Sequence, residues 1–214
     1  VSPDALRVRS GPCANHSTRA SCAVKMGIGA VRFKRDNPYA VRRESGCMHG
    51  GIMDTEEFWE FALLRYARPG VAQCCVALQD AHGANVMLLL YCAWRAQGGE
   101  CVRDAALRQA TARLEPLDRH LVRPLRAARR AIRRAADALD SPALAVGADR
   151  LMQAELAAER RQARLLADGA SSLRAGPARA CAAQSLAACL EGCGTGPAQA
   201  RMEGARLAAL VFDC

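Results

Sequence analysis

Aromatic side chains are scarce in this chain: two Trp, three Tyr and four Phe in 214 residues. Surfaces that grip single-stranded nucleic acid need rings on which bases can stack, and nothing here interleaves rings with basic residues. Long apolar runs are also missing. The longest uncharged one, Val86 to Trp94, is far short of the ~20 residues a membrane-spanning helix needs. No apolar stretch follows the first basic residues, so no secretory signal is expected. The apolar/polar alternation of a strand occurs nowhere, nor does an internal repeat, which leaves helices as the expected element. No P-loop, dinucleotide fingerprint, G-x-S-x-G or H-E-x-x-H is present. Neither is a C-x-x-C or the Glu-x-x-His pairs of di-metal bundles. No catalytic constellation, cofactor or metal is therefore expected. Lysine is nearly absent: Lys25 and Lys34 are the only two. With abundant alanine, this arginine bias points to GC-rich codons, a property of the genome rather than of the function.

What is present is unevenly spread. The formal net charge is +9, but residues 1–52 hold nine Lys/Arg against three Asp/Glu, and residues 53–214 hold 21 against 18. A nucleic-acid argument from the global charge would mislead, since most of the excess sits in the first quarter. That quarter has neither helical nor strand periodicity. We expect residues 1–52 to be disordered and to be translated from upstream of a native start at Met53. Gly50-Gly51 could encode a ribosome-binding site at a suitable distance. From Met53 the pattern changes at once, and Asp54 with Glu57 resembles a capping box.

The spacing then predicts a series of helices. Residues 55–67 carry Phe58, Trp59, Phe61, Leu63 and Tyr66, and Pro69-Gly70 ends that helix. In residues 71–81, Val71, Cys74, Cys75 and Leu78 share one face. Gly83 suits a left-handed helix end, and Asn85 suits an N-cap for residues 86–96. That third helix is apolar on nearly every face and belongs at the centre of a bundle. Residues 104–114, capped by Asp104, come next, then a helix over 117–139 with a kink at Pro124. It carries an apolar stripe (Leu121, Leu125, Ala128, Ile132, Ala135, Leu139) and an arginine stripe (Arg119, Arg123, Arg126, Arg130, Arg133). A charged helix follows from about Gly147 to Ala167. Residues 168–180 read as a linker, and residues 181–214 as a weakly structured Ala/Cys-rich tail broken at 192–197. The eleven cysteines are odd in number, and Cys74, Cys75 and Cys92 lie in apolar patterns, so a reduced, cytoplasmic protein is expected. The fold class is all-α: a compact bundle of five to six helices over residues 53–167. The expected core is Phe58, Trp59, Phe61, Leu63, Val71, Cys75, Leu78, Val86, Leu89, Leu90, Cys92, Ala93, Leu125 and Ile132.

Two groups of polar residues are candidates for a site. Gln79, Asp80, His82 and Asn85 interrupt the apolar hairpin and could position a substrate; capping of helix ends is the simpler account. Arg119, Arg123, Arg126, Arg130 and Arg133 could grip phosphates; pairing with Glu155 and Glu159 of the next helix is the simpler account. Those two glutamates at i, i+4 lack the histidines of a metal site, and Cys181, Cys189 and Cys193 lack the usual zinc spacing.

From Glu57 the run EFWEFALLRYARPGVAQCCVALQDAHGANVMLLLYCAW, then PLRAARRAIRR from Pro124 and ELAAER from Glu155, resembles a proteobacterial family of short uncharacterised proteins, over about residues 54–167. Its members begin near the position of Met53. The resemblance implies no activity, cofactor or partner. The expected function is a non-catalytic helical interaction module, with a protein partner or a second copy of itself. Polyanion binding through the arginine stripe and an enzyme site at residues 79–85 are the alternatives.

Overall fold

The computed structural model describes residues 52–168 and 178–213. Among them are eight α-helices, one π-helical turn and no strand. They are α1 (Ile52–Tyr66), α2 (Val71–His82), α3 (Val86–Gln97), α4 (Asp104–Leu117), the π turn (Asp118–Val122), α5 (Arg123–Ala138), α6 (Pro142–Ala167), α7 (Ala178–Gly192) and α8 (Pro197–Phe212). Of residues 1–52, all but Ile52 lie outside the described residues. So does most of the linker expected at 168–180.

α3 is central because its sequence offers no polar face to water. Every residue from Val86 to Ala96 is buried, against α1, α2, α6 and α7. Each large side chain so buried contributes ~1.5–3 kcal/mol. Phe58 of α1 meets Tyr91 edge-on and Trp94 at a tilt, with ring centroids 5.8 and 5.2 Å apart. The turn before α3 has the expected chemistry. Gly83 is left-handed (φ 67°) and its N–H reaches the Gln79 carbonyl. The Asn85 side chain accepts from the Leu88 N–H at 3.1 Å.

The break expected near residue 116 does not occur. The helix runs from Asp104 to Ala138 with one loosened turn, and Pro124 accounts for that turn. Proline lacks an N–H, and its ring presses on the carbonyl four residues back, that of His120. The turn before it opens, so that the Arg123 N–H reaches back five residues to the Asp118 carbonyl. A π turn inserts one residue and rotates all that follows by about 100°. Ahead of it Leu107 and Leu114 face the core. Continued at helical spacing, that row would pass through Leu121, Leu125 and Ile132. With the inserted residue, the inward face passes through Val122, Arg126, Arg129 and Ala136. Val122 is fully buried, whereas Leu121 is 42% exposed and Leu139 70% exposed. Leu125 and Ile132, expected in the core, are only half-buried, as is Leu63.

Three helix starts also differ from expectation. α1 begins at Ile52, so Asp54 lies inside the first turn. α4 begins at Asp104 itself, after Arg103. α6 begins at Pro142, before Gly147, because Ser141 caps it by accepting from the Leu144 N–H at 3.4 Å, and proline suits the first helical position.

The largest departure is the tail. The expected break at 192–197 is there, but α7 and α8 are full-length helices rather than weak ones. Leu186 and Leu190 are fully buried, Leu207 and Val211 nearly so. α7 lies on α3, and α8 on α7 and α2. Small residues let these backbones approach. A Cβ on Gly204 would come within 2.8 Å of the Ala187 nitrogen and 2.9 Å of the Ala183 oxygen. Cys101 and Cys181 form a disulfide spanning 80 residues, where a wholly reduced set was expected. It ties the loop after α3 to the start of α7.

Candidate functional site

The π turn does more than rotate α5. Its first residue, Asp118, stands four residues after Leu114 on the inward face at 4% exposure, where an unpaired carboxylate would be strongly disfavoured. Three donors converge on it. Asn85 Nδ2 donates to Oδ1 at 2.7 Å, Gln162 Nε2 to the same oxygen at 3.4 Å, and Arg123 Nε to Oδ2 at 2.5 Å. Asn85 thus has two roles: its oxygen caps α3 and its amide nitrogen holds Asp118.

One turn on, the inward arginines meet α6. Arg126 bonds Glu155 at 2.7 Å and Glu159 at 2.9 Å; Arg129 bonds the other oxygen of Glu155 at 2.6 Å. Both glutamates are essentially buried. Glu159 Oε2 has no hydrogen-bond partner. Burial raises the Glu159 pKa from 4.5 to about 7, against the pull of Arg126. For Arg126 burial acts downward, but the charges of Glu159 and Glu155 outweigh it and raise the pKa. The seam between α5 and α6 is therefore largely ionic. Such pairs contribute little net stability, but losing one partner strands a buried charge, which costs about 3–5 kcal/mol.

The candidates read from sequence are dispersed. Asp80 pairs with Arg130 at 2.8 Å and Arg133 with Asp149 at 2.5 Å, both near the surface. Arg119 is exposed. Gln79 and His82 are half-buried at the end of α2. Asn85 and Arg123 alone of the candidates line a cavity of about 400 Å³ bounded by the α2–α3 turn, α4 and the end of α7. Asp118 lines it too, with Leu88, Leu107 and Leu114 as its apolar side chains and Cys189 and Cys193 from α7. Asp118 and Gln162 escaped the sequence reading. The one available signal was an aspartate four residues after Leu114 and four before Val122, on an otherwise apolar face.

Among the described residues no helix is long and apolar enough to cross a membrane, and no three His, Cys, Asp or Glu side chains gather as a metal site would require. Neither a curated protein nor a solved structure matches the chain. A family of proteins of unknown function, DUF2390, matches residues 57–166, from α1 to the last turn of α6, which takes in the Asp118 hub and the ionic seam. The chain belongs to this DUF2390 family.

Proposed function

We propose that the protein is a non-catalytic helical interaction module of the bacterial cytosol, and that it holds an acidic protein partner on the outward row of α5. The bacterial setting rests on the codon bias and the family resemblance; the cytosolic one rests on the free Cys74, Cys75, Cys92, Cys189 and Cys193, with the Cys101–Cys181 disulfide counting against it. One observation supports the mode of action: α5 turns Arg126 and Arg129 inward, leaves Leu125 and Ile132 half-buried, and has an exposed leucine just beyond each end. Leu121 and Leu139, at the two ends of the row, are 42% and 70% exposed, and Val146 on α6 is 51% exposed. Exposed Arg119, Arg134 and Arg150 outnumber exposed Asp137 and Asp140 on the same hairpin, Asp149 being paired with Arg133, which favours an acidic partner over a second, equally basic copy. The polyanion reading is less well supported, because Arg126, Arg129, Arg130 and Arg133 already hold carboxylates. The enzyme reading is weaker still, since Asp80 is tied to Arg130 and away from the cavity.

The full chain, tagged and recovered from its native host, provides the test. Wild type and Leu64→Asp, a control on α1, should retain one acidic protein that Leu121→Asp plus Leu139→Asp loses. Retention of nucleic acid in its place, self-association through the row, or an unchanged set of proteins on the double variant would each overturn the proposal.

A further inference from the structure

The cavity beside Asp118 is separate from the α5 row. We propose that it binds a small organic carboxylate of roughly a dozen heavy atoms, taking the ~30 Å³ share of a liquid water molecule as the yardstick for each. Leu88, Leu107 and Leu114 supply an apolar wall that water solvates poorly and a hydrocarbon fills well. The head-group end is set by Arg123. Asp118 engages Nε alone and so fixes the guanidinium plane, leaving the two terminal nitrogens to meet a carboxylate side by side. Arg123 is about half-exposed at the mouth, where a ligand can reach it. The start of α3, with Asn85 and Leu88 on the lining, adds the positive end of a helix dipole.

The negative groups nearby do not oppose this. Asp118 is paired with Arg123 and accepts from two amides, and Glu115 is exposed to water on α4, two turns from Arg108 on the same lining. Cys189 and Cys193 are uncharged. Their mutual hydrogen bond lowers the Cys189 pKa, but a bond from Cys189 to Cys92 and burial more than offset it; the same mutual bond, with burial, raises that of Cys193. An inorganic anion would leave the apolar wall wet, and a neutral alcohol would leave the guanidinium unmatched.

Titration calorimetry on the full chain tests this with octanoate and 3-phenylpropionate as probes, and octanol and inorganic phosphate as controls. At least one carboxylate should bind with 1:1 stoichiometry, with both controls about tenfold weaker or more. Arg123→Gln should weaken it about tenfold. Ala112→Trp, at an exposed α4 position on the lining, should fill the space and abolish binding without touching the core. The proposal is overturned if neither carboxylate saturates, if octanol or phosphate binds as tightly, or if Ala112→Trp binds like wild type.

Discussion

Glu159 places one oxygen on Arg126 and leaves the other without a partner in the interior. Its carboxyl group is held protonated up to about pH 7 by burial, against 4.5 when free. The folded state therefore binds this proton more tightly than the unfolded state does. The stabilisation is complete below pH 4.5 and is lost as pH rises through about 7. Thermal melts should show a fall in midpoint between pH 5 and pH 8, and Glu159→Gln, which cannot ionise, should flatten it; an unaltered slope would remove Glu159 from the account. Such residues differ in how far the sequence reveals them. Asn85 was legible because its first role is local: it caps the helix that begins at the next residue. Asp118 was not, because Asn85 is 33 residues away and Gln162 is 44, and no local pattern reports partners that far off.

At the scale of helices, two features escaped the periodicity. Alanine-rich helices carry little apolar/polar contrast, so α7 and α8 read as weak although they pack against the core. Their strength is close approach, and it can be tested at one position. Gly204→Ala puts a methyl group within 3 Å of the α7 backbone at Ala183 and Ala187, so the helices must separate. A loss of ~1–3 kcal/mol in denaturant unfolding is expected, whereas a stabilised Gly204→Ala, as in an exposed helix, would contradict the packing. The second feature is α5. Leu125 and Ile132 of its apolar stripe, expected in the core, are only half-buried, because periodicity fixes the relative phase of side chains but not which face turns inward. Pro124 was read as a kink. Its larger effect is the inserted residue, which exchanges the faces and takes Val122, Arg126 and Arg129 inside.

For the molecule as a whole, the family region ends at residue 166, but the core does not. α3 was correctly placed at the centre from its lack of a polar face, yet one of its faces is covered by α7, which lies beyond that boundary. A chain ending at Asp168 should therefore expose the α7-facing side of α3 and melt without a cooperative transition; a sharp two-state melt would show that residues 53–167 suffice. The central claim, that one inserted residue turns charge inward and leaves apolar side chains outward, is open to one direct measurement. Hydroxyl-radical footprinting of the full chain followed by peptide mass spectrometry reports side-chain exposure residue by residue. Leu121 and Leu139 should be oxidised readily and Val122 protected; oxidation of Val122 with protection of Leu121 would contradict the rotated register and the function built on it.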